Sequence, residues 1–331
     1  MKNFPNSPVD CMIACLIMCH KNGSQVIRLA KRLYSSKTEI FIHADSAMEA
    51  EDFRNIQKFA TENATWVHLT DNRLHGVLDT RSLVDIAMEL IFQVRRQEQN
   101  AERHFQYYCL LSGQDYPIKP IDFIIKELEV SYPKPFIDCT AWRRGNWLSK
   151  KFSKNQRLLQ FREWVKNTFK EKSIGWCAGR GIGLGWRLLL QFLKMSDYDW
   201  FRRKGIQLYG GSAWWILPDT TVEYVVHEYE KQPEYVQRLL KTYTPEETFF
   251  QILAKRGPNG EMIELNKTEG KIQECKTWAY FTGDGKPFVG HPYVITEQEL
   301  PFLISSPYWF ARKFEQTVNK AVLDSLDELA F

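Results

Sequence analysis

The sequence predicts an α/β fold built on an open, mostly parallel central sheet with right-handed helical crossovers. Continuous apolar runs, typical of strands buried on both faces, recur through the first half of the chain. Stretches with apolar residues at helical spacing separate these runs. The 331 residues, 44% of them hydrophobic, are enough to bury a sizeable core. We therefore expect one domain over 1–331.

The first half of the chain alternates predicted strands and helices. Strands are expected at 11–19, 39–43, 66–69 and 105–111, and helices at 26–33, 80–98 and 121–130. Because open α/β sheets bind ligands beyond the carboxyl ends of their strands, we expect His20, Asp45 and the 71–76 stretch to line a site. Asp115, in the turn after the fourth strand, is expected to be exposed at the same edge. Asp45 could equally cap the next helix, and Asp115 could simply brace its own turn.

The second half begins with a basic, Trp-rich segment. Helices are predicted at 155–170 and 186–194, separated by a flexible loop containing the glycines at 179, 181, 183 and 185. Because position 184 is Leu, these glycines do not fit a phosphate-binding loop. A turn and strand are predicted over 207–217, followed by helices at 220–230, 233–241, 297–304 and 314–330. The chain thus divides into a half at about 10–130, an excursion at about 140–205 and a second half at about 206–331.

The charge of the chain is unevenly distributed. Residues 138–210 hold 16 Lys and Arg against 5 Asp and Glu, whereas the chain as a whole has a net charge of +4. Such a segment favours an anionic partner, and we expect peripheral contact with an anionic membrane or with an anionic or lipid-linked acceptor. Binding to nucleic acid is not expected, because no signature of a nucleic-acid-binding fold accompanies the charge.

The seven cysteines show no paired spacing, so we expect buried free thiols in a reducing compartment. The apolar run 11–19 is too short to span a bilayer and lacks a signal-peptide cleavage pattern, which predicts a cytoplasmic protein. Hydrolase and zinc motifs are absent from the sequence, as is the D-x-D carboxylate pair that commonly holds a metal on a nucleotide-sugar.

Two charged pairs are candidates for chemistry. Glu246 and Glu247 follow Pro245 at a predicted helix start with Thr244 as the N-cap, where acids also stabilise a helix by interacting with its dipole. Arg312 and Lys313 could be a solvated surface pair. Alternatively, two cations without acidic neighbours in the sequence could replace a metal at a diphosphate.

Five stretches, taken in order, resemble the core-2/I-branching β-1,6-N-acetylglucosaminyltransferase and peptide-xylosyltransferase family. They are 41–45 (F-I-H-A-D), 112–117 (S-G-Q-D-Y-P), 211–215 (G-S-A-W-W), 243–247 (Y-T-P-E-E) and 310–314 (F-A-R-K-F). The resemblance covers roughly 11–331. It implies a GT-A-like, Rossmann-type three-layer α/β/α fold with a mixed, mostly parallel sheet, and an inverting, metal-independent transfer of GlcNAc or xylose from a UDP-sugar. A catalytically inactive glycan-binding protein on this fold is the alternative.

The resemblance also implies roles for individual residues. Glu247 is expected to be the catalytic base, and Arg312 and Lys313 to contact the donor diphosphate. The remaining donor-side residues are Met18, His20, Asp45, Ala213, Trp214 and His291, the last being the nearest match to a second cation. Asp115, Trp215 and Glu246 are expected on the acceptor side, facing a glycan or lipid-linked saccharide. Animal members of the family are membrane-anchored and disulfide-bonded. Because we expect neither feature in this sequence, the resemblance implies a bacterial, cytoplasmic member.

Overall fold

The computed structural model describes residues 11–101, 103–143, 161, 164–165, 168–170, 173–192, 196–266, 274–281 and 292–329. In chain order, the strands are β1 (Ile13–Cys19), β2 (Thr38–Ala44), β3 (Val67–Leu69), β4 (Tyr107–Ser112), β5 (Asp115–Pro117), β6 (Phe136–Ile137), β7 (Thr140–Ala141), β8 (Tyr209–Gly210), β9 (Trp215–Pro218), β10 (Thr277–Ala279) and β11 (Phe310–Arg312). The apolar runs that predicted the first four strands form them in the structure.

The helices occupy the intervals between these strands. They are α1 (Gly23–Arg32), α2 (Ala50–Glu62), α3 (Ser82–Ala101), α4 (Ile121–Ser131), α5 (Ile174–Phe192), α6 (Asp197–Arg203), α7 (Asp219–Lys231), α8 (Glu234–Leu239), α9 (Phe249–Arg256), α10 (Leu300–Ser305) and α11 (Ala321–Glu328). Short 3₁₀ turns lie at Pro245–Glu247, Gly260–Met262 and Glu297–Glu299.

The central sheet has the strand order β3-β2-β1-β4-β9-β6. Strands β3, β2, β1 and β4 run parallel to one another, and β9 is antiparallel to both β4 and β6. Alternate residues of β1 point to opposite faces, so Ile13 and Cys15 pack into one core and Ala14 and Leu16 into the other. Helices α1, α2, α4 and α11 contribute to the first core, and α3, α7, α8 and α9 to the second. This confirms the three-layer α/β/α fold with a mixed, mostly parallel sheet.

A second, smaller sheet brings distant parts of the chain together. Its strand order is β10-β11-β5, with β11 parallel to β10 and antiparallel to β5. The register places Arg312 opposite Asp115. The stretches 112–117 and 310–314 are therefore neighbours.

Within the part of the chain that the structure describes, no helix is long and apolar enough to cross a bilayer.

The flexible loop predicted at the glycines 179–185 is wrong, because α5 runs through all of them. Glycine disfavours a helix by about 1 kcal/mol relative to alanine, but here tertiary packing outweighs this propensity. A Cβ on Gly175 would lie 2.4 Å from Phe169, and one on Gly179 would lie 2.7 Å from Val165. The missing side chains let α5 approach the preceding segment closely. Most of the helix predicted at 155–170 lies outside the described residues.

The last predicted helix, 314–330, is shorter in the structure and begins at Ala321. The chain before it is held in another conformation by Glu315, which accepts hydrogen bonds from Lys21 and Gln114. The prediction of Thr244 as an N-cap is also corrected. Its side chain makes no capping bond and donates instead to the Tyr243 carbonyl, at 2.7 Å.

The contrast between two glycines tests the helical assignment of 174–192. A Cβ added to Gly181 would have no described neighbour within 4 Å, so Gly181→Ala is expected to stabilise α5 by about 0.5–1 kcal/mol. In Gly179→Ala the same gain is opposed by overpacking against Val165, which costs about 1–3 kcal/mol. Hydrogen-exchange protection of the α5 amides, with urea unfolding alongside, measures both changes. Equal effects of the two substitutions would contradict the packing described.

Candidate active site

Arg312 is held from two directions at the centre of the candidate site. Its Nε lies 3.5 Å from Oδ1 of Asp115, and its guanidinium carbon lies 4.4 Å from the centroid of the Trp214 ring. The antiparallel pairing of β11 with β5 sets the first contact, and the 211–214 segment that enters β9 sets the second. A guanidinium gains from both an ion pair and a stacked ring, so this arrangement fixes its orientation.

Asp115 lies beneath Arg312 and is fully buried, so the prediction that its turn exposes it is wrong. Its Oδ2 accepts a hydrogen bond from the Ser112 amide at 2.8 Å, which confirms that it braces its own turn. Burial raises the pKa of Asp115 to about 6, although the charge of Arg312 and the Ser112 amide lower it. A side chain with no exposed surface offers no contact to an acceptor, so we assign Asp115 to the support of Arg312.

Lys313 lies beside a further cation that the sequence reasoning missed. Lys21, which directly follows the turn residue His20, donates to Oε2 of Glu315 at 2.6 Å. Burial, together with the charges of Lys21 and Arg312, lowers the pKa of Lys313. Three cations thus gather where β1 and β11 end. The available signal was position, since Lys21 is the second residue after β1 and Glu315 directly follows the F-A-R-K-F stretch.

Glu315 is the carboxylate that balances these cations. Only 5% of it is exposed, and it accepts hydrogen bonds from Lys21, Asn22 and Gln114. Burial alone would raise the pKa of Glu315, but the bonds and charges of Lys21, Asn22 and Lys313 hold it below its ordinary value. It is therefore an ionised partner that keeps Lys21 in place at neutral pH.

The loop after β4 is tied to the 314–316 segment through Gln25 of α1. The fully buried Gln25 donates to the carbonyls of Gly113 and Phe314, at 3.0 and 3.1 Å, and accepts from the Gln316 amide at 2.7 Å. A side chain at Gly113 would lie 2.8 Å from the Cys19 Cβ, so glycine permits this close approach to β1. The ends of β1, β4 and β11 are consequently fixed relative to one another.

Asp45 lies at the carboxyl end of β2, as predicted, and organises the loop that follows β3. Its Oδ1 accepts from the Ala47 amide at 2.7 Å and from His75 Nδ1 at 2.9 Å, and its Oδ2 accepts from the Gly76 amide at 2.6 Å. Burial would raise its pKa, but the bonds from His75, Gly76 and Ala47 hold it below the usual value. The expected meeting of Asp45 with the 71–76 stretch is confirmed.

His20 and Met18 lie at the end of β1, with His20 exposed and Met18 half-buried. Partial desolvation by its neighbours and the charge of Lys21 lower the pKa of His20. Asp45 Oδ2 retains acceptor capacity beyond its bond from Gly76, since a carboxylate oxygen has two lone pairs. A small polar surface therefore lies beyond β1 and β2.

Glu247 is half-buried and ends the 3₁₀ turn that precedes α9. Its carbonyl accepts a hydrogen bond from the Gly211 amide at 3.0 Å, which joins it to the segment that leads to Trp214. Gln251 of α9 reinforces this connection by donating to the Ser212 carbonyl at 2.6 Å. Since three residues span at most about 11 Å, a short, continuous path links the Glu247 backbone to the ring on Arg312.

The remaining predicted residues are placed as follows. Ala213 is half-buried within the linking segment, next to Trp214. Trp215 is 1% exposed and packs on Phe250 in the core, which leaves it no surface for an acceptor, contrary to expectation. Glu246 is largely buried beside Glu247. His291 lies outside the described residues.

Among the residues placed by the structure, no three His, Cys, Asp or Glu side chains come together as a metal site would require.

The titration of Asp115 tests its burial beneath Arg312. We expect its carboxyl ¹³C resonance to titrate near pH 6 rather than 3.8, and at a still higher pH in Arg312→Met, since that cation lowers the pKa. Between these pH values the folded state holds a proton that the unfolded state has lost. The contribution of Asp115 to the free energy of unfolding therefore falls as the pH rises through this window. Loss of the signal in Asp115→Asn assigns it, and a midpoint near 4 would contradict the burial.

Comparison with known proteins gives a consistent family. A family model described as Core-2/I-Branching enzyme matches residues 13–300. Xylosyltransferase oxt of Drosophila melanogaster is 26% identical over 322 residues, which cover 92% of this chain and 32% of that protein. Beta-1,3-galactosyl-O-glycosyl-glycoprotein beta-1,6-N-acetylglucosaminyltransferase 4 of Danio rerio is 23% identical over 356 residues, covering 98% of this chain and 69% of that protein.

The chain thus spans about a third of the length of the xylosyltransferase and about two thirds of that of the second relative. Mouse xyloside xylosyltransferase 1 has a TM-score of only 0.34 at 9% identity, covering 91% of this chain and 97% of that one, and this likeness supports no statement on fold. The family model, by contrast, matches most of the chain. The chain belongs to the Core-2/I-Branching enzyme family.

Proposed function

We propose that this protein transfers a sugar, GlcNAc or xylose, from a UDP-sugar to a hydroxyl group of a glycan or lipid-linked saccharide, with inversion at the anomeric carbon. The observation that carries the proposal is the oriented guanidinium of Arg312, joined by one short segment to the carboxylate-bearing turn at Glu247. A nucleotide-sugar donor and a saccharide acceptor are also what the names of the relatives suggest.

The donor diphosphate is assigned to the cations at the ends of β1 and β11. Arg312 supplies a fixed fork of N–H donors, and Lys313 and Lys21 supply compact point charges. As the bond to the sugar breaks, negative charge develops on the leaving diphosphate, and these cations stabilise it. Lys21 donates a hydrogen bond to Glu315 at 2.6 Å. A phosphate oxygen of the donor competes with Glu315 for this cation.

The nucleoside is assigned to the surface beyond β1 and β2. Asp45 Oδ2 can accept a hydrogen bond from the N3–H of uracil while keeping its bond to the Gly76 amide. Met18 and His20 lie next to this position at the end of β1. This placement sets the uracil of the donor at one end of the three cations and the donor sugar at the other end, near Trp214.

Glu247 is assigned as the general base. In a single in-line displacement, the acceptor oxygen attacks the anomeric carbon, its proton passes to the Glu247 carboxylate, and the diphosphate leaves with the bonding electron pair. The backbone bond from Gly211 to Glu247 fixes this turn against the segment that holds Ala213 and Trp214. The proposed base, Glu247, and the cation Arg312 therefore belong to elements that contact the same 211–214 segment.

Substitution of Glu247 tests its assignment as the general base. Glu247→Gln is expected to lower the transfer rate by at least about 10²-fold, the typical contribution of general base catalysis, because an amide cannot accept the proton. UDP affinity, measured by calorimetry, should stay within about twofold, since Glu247 is not placed on the diphosphate. Glu261→Gln removes an exposed carboxylate from another turn and is the matched control. Near-normal turnover in Glu247→Gln would remove it from this role, and absent transfer and donor hydrolysis in the unsubstituted protein would favour a glycan-binding function.

The cations are proposed to act without a metal, which chelation tests. We expect transfer to be unchanged in excess EDTA, and UDP binding to be weakened in Lys313→Met with or without added Mn²⁺. Lys320→Met, which alters an exposed lysine paired with Asp324, provides the control. Strict dependence of transfer on Mn²⁺ would contradict the proposal.

A further inference from the structure

Helix α5 presents an apolar face to solvent that the proposed transfer reaction does not use. Ile174 is 92% exposed, Ile182 60% and Leu184 50%, and Cys177 and Ala178 lie exposed between them. The opposite side of the helix carries Gly179 and Gly183, which are buried. An exposed cluster of aliphatic side chains on one helix face commonly marks an interaction surface.

The charges of this helix select among possible partners. Residues 174–192 include Arg180 and Arg187 and no acidic residue. Arg180 lies one turn before Leu184 and so borders the apolar face, and its guanidinium lies 4.6 Å from the centroid of the half-buried Trp176 ring. The 138–210 segment, which includes this helix, holds 16 basic residues against 5 acidic ones in total. The complement to such a surface is a layer with anionic head groups above an apolar interior.

We propose that α5 docks this protein on the surface of an anionic lipid bilayer. The helix lies parallel to the membrane, with Ile174, Ile182 and Leu184 inserted among the upper acyl chains and Arg180 at the level of the phosphates. Apolar burial and attraction to anionic lipid act together, as peripheral membrane helices require.

The residues that flank the segment carrying α5 lie close to each other and to the strands that lead to the candidate site. Trp142 and Tyr198 flank this segment in the sequence, and their rings stack with centroids 3.6 Å apart. Next to this stack, β7 pairs with β8, which leads directly into Gly211 and its bond to Glu247. The residues that flank the segment carrying α5 therefore lie next to the strand that leads to Glu247. The docking itself does not depend on the transfer activity.

The exposed Cys177 provides a probe on the docking face, because the other six cysteines are buried. We expect an environment-sensitive fluorophore on Cys177 to gain emission and shift to shorter wavelength with vesicles of phosphatidylcholine and phosphatidylglycerol. Vesicles of phosphatidylcholine alone should give little change, and salt near 1 M should reverse the signal because it shortens the screening length to about 3 Å. The matched control carries the same fluorophore on Val130→Cys in a Cys177→Ser background, since Val130 is 80% exposed on α4.

Vesicle cosedimentation of unlabelled protein tests the contact residues. Ile182→Ser is expected to weaken binding to the anionic vesicles about tenfold, through loss of one buried aliphatic side chain. Val130→Ser should bind like the unsubstituted protein, and Glu247→Gln should as well, which separates docking from transfer. Equal binding to neutral vesicles, absence of binding, or unchanged binding of Ile182→Ser would each overturn the proposal. A signal that rises with protein concentration without lipid, together with a dimer in sedimentation, would instead assign this face to a second copy of the chain.

Discussion

The position of one guanidinium governs the arrangement of the candidate site. Arg312 is paired edge-on with a fully buried carboxylate and face-on with an indole ring, and each partner comes from a different part of the chain. Isolated buried charges are costly, so Asp115 requires its cation as much as the cation requires Asp115. The pairing of β5 with β11 makes this mutual compensation possible, and it ties the sequence stretches at 112–117 and 310–314 into one unit.

Repulsion among like charges is a second constraint on the candidate site. Lys21 and Lys313 approach each other near Arg312, and burial already disfavours the charged form of Lys313. Glu315 offsets this repulsion from within the fold and also accepts hydrogen bonds from Gln114, Asn22 and Thr317. A carboxylate of the fold itself therefore holds Lys21 close to Lys313.

The sequence was informative where local pattern and tertiary structure agree. Apolar runs such as 11–19 and 105–111 predicted the buried strands, and the strand ends correctly grouped Asp45 with the loop at 75–76. Pattern failed where long-range packing decides. The glycines of α5 suggested a loop because the close approach of Val165 and Phe169 is invisible in one dimension. The burial of Asp115 and the bond from Lys21 to Glu315 likewise depend on residues about 200 to 300 positions away, so periodicity carried no signal for them.

The stack of Trp142 on Tyr198 has a consequence for how this protein can change over evolution. Because the two rings touch, the stretch between them begins and ends at one point on the domain surface. Such a stretch behaves as a cassette: it can lengthen, shorten or be exchanged for another without altering the path of the strands beneath it. Replacing the cassette alone would change the surface that this stretch presents and leave the central sheet as it is.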